Sequence, residues 1–265
     1  MSFTKINAIV LNSSDIEYNK KVITVFSREF GKMSIYALGV NTMKSKNRYA
    51  IQDMSISQFE IFKARKKESM SKLKTGYIIE SNIEIAKNIQ NYLYLKISVD
   101  ILSKLVDGEY LGTKKNAIIY DTLIKYLEYL RNDKNTFQAY LFFLCFLISF
   151  TGYIWILNKC IRCNKFPKKL IARFDYVNKG FVCYYCLHLG EVVQPDSFIE
   201  MLKDLKGEKY SSIIKKKYNI IDLVVLHNVL IEFYNSEVGI FVKEIDILKK
   251  NATTNLDEKT KKLYM

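Results

Sequence analysis

Four of the chain's five cysteines fall in two tight pairs, Cys160 and Cys163 in "CIRC" and Cys183 and Cys186 in "CYYC", with nineteen residues between the pairs. Two C-x2-C turns at this separation match the spacing that holds one Zn²⁺ tetrahedrally through four thiolates, each turn aiming two sulfurs at a common point. Iron also accepts four thiolates, so the motif specifies a metal more firmly than it specifies zinc. A closed set of four thiolates leaves no open coordination position, which makes such an ion structural rather than catalytic. A redox dithiol accounts for one C-x-x-C but not for two at this spacing. The fifth cysteine, Cys145, lies in an apolar run and reads as a packing residue.

The segment between the pairs, "NKFPKKLIARFDYVNKGFV", is strongly basic. Its carriers, with the turn residue before it, are Arg162, Lys165, Lys168, Lys169, Arg173 and Lys179. The four thiolates and one Zn²⁺ contribute a formal charge of about −2, so the module stays positive. "LIARFDYVNKGFVC" reads as a hairpin, with Asn178, Lys179 and Gly180 as its turn.

The whole chain has 265 residues, is 49% hydrophobic and carries a net charge of +14. That length supports a substantial core and more than one domain. The charge is uneven. Residues 1–80 carry +7 and residues 158–190 carry +6, whereas 81–157 carry +1 and 191–265 carry none. Compositional bias alone spreads an excess; two basic segments point to a polyanion. The N-terminal "MSFTKINAIVLNSSD" holds Lys5 within a short strand-like run and does not read as a secretory signal, so the cysteines are expected to stay reduced.

Residues 1–80 read as a small β domain. Strand-like runs occur at 5–12, 20–27, 32–40, 56–63 and 71–79, joined by polar connections that include "SSDIEYN" and "NTMKSKNRYA". Five strands in this length suit the Greek-key barrel of the OB-fold, which presents strands and connecting loops to nucleic acid. The candidate phosphate contacts are Lys63, Arg65, Lys66 and Lys67 on the last connection and Lys44, Lys46 and Arg48 on the third, with Lys32 and Lys72 on strands. Tyr36, Tyr49 and Phe62 are the candidate stacking rings.

From residue 81 the apolar period becomes helical, through Ile85, Ile89, Leu93, Ile97, Ile101 and Leu105, and again through Ile119, Leu123, Leu127 and Leu130. Residues 135–158 contain no charged residue and are long enough to cross a membrane, yet Gly152 interrupts them and the cysteines follow at once. They read as a buried core helix. "PDSFIEMLKDLKG" and "IIDLVVLHNVLIEFY" give further helices, His227 reads as a structural histidine, and 251–265 as a polar tail. The expected organisation is α+β. An OB-fold domain spans 1–80, a helical domain spans 81–157 and 191–250, and a zinc module at 158–190 is inserted in it.

No phosphate loop, dinucleotide fingerprint, H-E-x-x-H or serine elbow occurs in the sequence, and the chain is not read as an enzyme. Two other readings stand beside an OB-fold nucleic-acid-binding protein: a zinc-ribbon transcription or RNA-binding factor, and a membrane-anchored zinc protein built on 135–158.

The order of these parts resembles the RecO family of recombination-mediator and DNA-repair proteins along nearly the whole chain. "VITVFSREFGKMSIYALGV" is similar to the family's strand, short turn with glycine and lysine, and second strand; "KSKNR" stands where the family has a basic, serine-containing loop. "YLYLKISVDILSKLVDGE" resembles its tyrosine-rich helix, and "FLISFTGYIWILNKCIRC" with "GFVCYYC" resembles its cysteine region. The family's glycine in the first loop and a proline before the fourth strand are absent. The resemblance implies a cytoplasmic, nucleoid-associated protein that binds single- and double-stranded DNA and anneals complementary strands without ATP. It also implies engagement of the acidic C-terminal tail of the single-stranded-DNA-binding protein (SSB) and, with RecR, loading of the RecA recombinase on SSB-coated DNA.

Overall fold

The computed structural model describes residues 3–42, 44–65, 69–106, 112–153, 155–165, 170–207, 209–250 and 264. The chain forms two compact units, Met1–Lys134 and Asn135–Met265.

The first unit contains a closed barrel of β1 (Thr4–Glu17), β2 (Lys20–Ser27), β3 (Gly31–Leu38), β4 (Ile56–Phe62) and β5 (Ser71–Glu80). The strand order around it is β1-β2-β3-β5-β4, with β3 and β5 paired in parallel and every other pair antiparallel. This is the OB-type barrel the sequence predicts. Its interior is Ile6, Ala8, Val10, Ile23, Val25, Ile35, Ala37, Phe59 and Ile61, alternate residues of four strands. Ile9 and Leu11 are buried as well, on the opposite face of β1, and α1 (Ile89–Leu105) packs on that strand.

β1 runs past its predicted end. Ser13–Glu17, expected as a polar connection, instead pairs with β2 up to Glu17 and Lys20, leaving Tyr18 and Asn19 as a two-residue turn. Cross-strand pairs Asp15–Lys21 at 3.2 Å and Glu17–Lys20 at 2.5 Å line this arm. Both of its faces meet water, so no hydrophobic alternation marks it.

α2 (Thr113–Arg131) packs against β2 and β3. The β2–β3 turn explains the glycine of "REFGK". Gly31 has φ +68°, and a Cβ there would lie 2.8 Å from the Asn116 side chain of α2. Arg28 in the same turn donates to both carboxylate oxygens of Asp121, at 2.9 and 3.0 Å. α1 begins later than the apolar spacing suggests, because the Asn88 side chain accepts the N–H groups of Gln90 and Asn91 and caps the helix there.

The second unit opens with α3 (Thr136–Ile148), whose Tyr140, Leu141, Phe143 and Leu144 are buried. The uncharged stretch 135–158 is therefore not one helix. Ser149 and Thr151 turn their hydroxyls back onto the carbonyls of Phe146 and Ile148, Gly152 takes φ +81°, and the chain leaves as a strand. Among the described residues no helix is long and apolar enough to cross a membrane.

That strand, β6 (Ile156–Cys160), joins β8 (Gly180–Cys183) and β7 (Ile171–Asp175) in the order β6-β8-β7. α4 (Asp196–Gly207) packs on β6 and β7, and α6 (Ile220–Ser236) packs on α3 and α4; the short α5 (Tyr210–Ile213) and α7 (Glu244–Lys250) complete the helices. His227 is fully buried, its ring 5.8 Å from those of Phe137 and Tyr140, as a structural histidine would be. Tyr264 departs from the expected polar tail. It is buried against Phe198, donates to Asp222 at 2.6 Å, and its carbonyl accepts from Gln194.

Candidate metal centre and nucleic-acid surfaces

β6 and β8 run parallel, so their C-terminal ends lie at the same edge of the small sheet. Cys160 ends β6 and Cys183 ends β8; Cys163 follows in the turn after β6, and Cys186 in the 3-10 turn Tyr184–Cys186. This topology, not the hairpin alone, brings the two pairs together. All four sulfurs lie within 4.8 Å of one another, and Cys163 and Cys183 are 3.9 Å apart. A tetrahedral Zn²⁺ with ~2.3 Å bonds to sulfur requires edges of about 3.8 Å. The residues present fit that ion.

The backbone turns also prepare the thiolates. The Cys183 N–H points at Cys160 Sγ from 3.5 Å. Desolvation pushes the Cys160 thiol up, but the N–H groups of Cys183, Cys163 and Arg162 together outweigh it and hold it at about 6. Cys186 is pushed up to about 12 by desolvation and by the hydrogen bonds it shares with the other three sulfurs. One thiolate thus forms readily and opposes the next, an arrangement that a dication resolves. Close packing holds the turns in place. A Cβ on Gly180 would collide with Ile161 Cγ2, so β8 can approach the first knuckle only through glycine.

The basic residues of this module fare unequally. Arg162 donates to both carboxylate oxygens of Glu191, at 2.5 and 2.6 Å, and to the Cys186 carbonyl at 2.5 Å, with Asp175 3.6 Å away. Its guanidinium, with the His188 N–H, holds the Glu191 carboxyl down at about 2. Arg173 is 9% exposed in the middle of β7. Lys179 donates to the Tyr176 carbonyl. Lys165 is exposed in the first knuckle, where its carbonyl accepts the Cys160 N–H at 2.9 Å. Lys168 and Lys169 lie outside the described residues. Glu191, five residues past the last cysteine, was invisible to a reading based on cationic residues; the one signal was an acid closing an otherwise basic module.

On the barrel, Lys44, Lys46, Arg48, Lys63, Arg65 and Lys72 are all exposed. Lys63 rests 3.7 Å over the Phe30 ring. Arg48 lines a cleft of about 530 Å³ beside Lys21, Asp15 and Asp53. Lys32 is half-buried and donates to the Ser103 carbonyl at 3.0 Å. Lys66 and Lys67 lie outside the described residues. Of the candidate stacking rings, Tyr49 is 64% exposed, Tyr36 is half-buried, and Phe62 packs on Phe3 at 4.3 Å.

Two family models match the chain: Recombination protein O N terminal over residues 1–82 and Recombination protein O C terminal over residues 89–243. The "DNA repair protein RecO" of Mesoplasma florum is 38% identical over 253 residues, covering 95% of this chain and 93% of that protein. The proteins of the same name from Mycoplasma capricolum and Mycoplasma mycoides are 29% and 28% identical, each comparison covering 92% of this chain and 96% of the relative. An OB-type barrel, a four-cysteine module at the predicted positions and these matches over nearly the full length agree: the chain belongs to the RecO family of DNA repair proteins.

Proposed function

We propose that this chain is a recombination mediator that binds single- and double-stranded DNA, anneals complementary strands without ATP, and with RecR helps load RecA onto SSB-coated DNA in the cytoplasm, at the nucleoid. The observation that carries this reading is the exposure of Lys44, Lys46, Arg48, Lys63, Arg65 and Lys72 on a closed OB-type barrel in a member of the RecO family. Annealing requires two phosphate backbones to be neutralised at once, and an array of exposed cations supports that. The four cysteines would hold one structural Zn²⁺, which fixes the two knuckles and leaves the barrel as the principal DNA surface. The SSB tail and RecR are proposed as protein partners on the strength of the family resemblance.

The test uses dye-labelled complementary oligonucleotides coated with the cognate SSB and the zinc-loaded protein, without ATP, at low and moderate salt. Faster annealing that weakens as salt rises is expected. No acceleration at either salt would remove annealing from the account.

A further inference from the structure

The second knuckle carries a feature that metal binding does not use. Between its ligands stand Tyr184, 43% exposed, and Tyr185, 84% exposed; His188 and Leu189 follow, both exposed, Leu189 at 107%. Three planar rings thus lie within five residues of one short turn. Backbone contacts hold the turn: the Tyr184 N–H donates to the Leu170 carbonyl at 3.0 Å, and the Arg162 guanidinium grips the Cys186 carbonyl. A metal on Cys183 and Cys186 would fix it at both ends.

The rings are not exposed for want of a core. Phe174 and Phe181 in the same sheet are fully buried, packed edge to face at 6.3 Å. The module therefore sorts its described aromatics, Phe174 and Phe181 inward and the knuckle tyrosines outward. Lys165 is exposed on the companion knuckle. Exposed π faces on a held turn, with an exposed lysine on the companion knuckle, match the needs of an unpaired base followed by its phosphate. Bases stacked inside a duplex offer no such face.

We propose that Tyr184 and Tyr185 form a stacking platform for unpaired bases, so that the zinc module discriminates single strands from duplex while the barrel contacts either. This rests on the DNA-binding reading above. It assigns the single-strand preference to two named rings.

The test compares the zinc-loaded wild type with Tyr185→Ala and with the Tyr184→Ala/Tyr185→Ala pair, metal content and melting temperature being checked on each. Affinity is read by anisotropy for a single-stranded oligonucleotide and for its duplex, over a range of salt. The double variant is expected to lose about tenfold or more on the single strand, as removal of aromatic stacks does elsewhere. Duplex affinity and the salt slope should be unchanged, because no phosphate contact is removed, and Tyr185→Phe should restore the single-strand affinity. Photocrosslinking of the wild type to an oligonucleotide carrying 5-iodouracil needs no variant and should label Tyr184 or Tyr185. Equal loss on both substrates, unchanged single-strand affinity with metal retained, or crosslinks confined to the barrel would overturn the platform. A wild type that binds neither substrate would defeat the DNA-binding reading itself, and the platform with it.

Discussion

The barrel and the four-cysteine module carry nearly the same net charge in sequence, +7 over residues 1–80 and +6 over 158–190, yet they use it differently. On the barrel, six of the candidate phosphate contacts are exposed, and among the described candidates only Lys32 is drawn into an internal hydrogen bond. In the module, Arg162 is clamped by Glu191 and the Cys186 carbonyl, and Arg173 is buried in β7. A formal charge count treats these as equal. The physical difference is pairing: the Arg162 guanidinium already meets a carboxylate where it sits, and its charge is then spent on the fold. Net charge locates a basic segment, but only side-chain exposure says how much of it can meet a phosphate.

The largest effect that would break this contrast is metal removal. Chelation, or Cys160→Ser, should melt the three-stranded sheet, because the free energy of binding structural zinc, on the order of 10 kcal/mol in zinc-finger peptides, is free energy of folding. Hydrogen exchange should show protection lost in β6, β7 and β8 while β1 to β5 keep theirs. Equal loss in both units would show that the metal supports more than its own sheet.

Gly31→Ala is the corresponding insult to the barrel. The positive φ and the encounter with Asn116 should together cost about 1–3 kcal/mol, read as a shift in the denaturation midpoint of the first unit. Arg162→Ala comes next. It strips Glu191 of its cationic partner and should cost about 1–2 kcal/mol of the second unit's stability, the usual range for charged hydrogen bonds that keep some solvent contact. The smallest effect is on pH. The folded Glu191 carboxyl is held at about 2, below the ~4.3 of an unfolded glutamate, so its contribution is complete above that higher value and is lost as pH falls toward 2. A stability profile between pH 5 and 2.5 should therefore be flatter for Glu191→Gln than for the wild type.

Much of this was legible in the sequence because local spacing encodes it. The two C-x2-C turns announced a four-sulfur site, and the turn expected at Asn178–Gly180, which the structure forms at Tyr176–Lys179, announced the hairpin that returns the chain to it. Five strand-like runs announced the barrel. What escaped depended on partners distant in sequence. Ser13–Glu17 forms a strand only because Lys20–Ile23 pairs with it, and its polar residues look like a loop. The uncharged run 135–158 looked like one helix because composition does not show where Ser149 and Thr151 cap carbonyls and Gly152 turns the chain. The parallel pairing of β6 with β8, which sets the cysteine pairs side by side, has no local signature at all. Nor has the clamp on Arg162, whose partner lies twenty-nine residues away.

The division of labour between exposed and internal charge is tested most directly by the salt dependence of binding to a single-stranded oligonucleotide. The slope of log affinity against log salt would be compared for the zinc-loaded wild type, Lys63→Gln/Arg65→Gln and Arg162→Ala. The account predicts a slope shallower by about 0.7 for each phosphate contact removed from the barrel, and a wild-type slope for Arg162→Ala despite its lower stability. A wild-type slope for the barrel variant, or a shallower one for a folded Arg162→Ala protein, would contradict it.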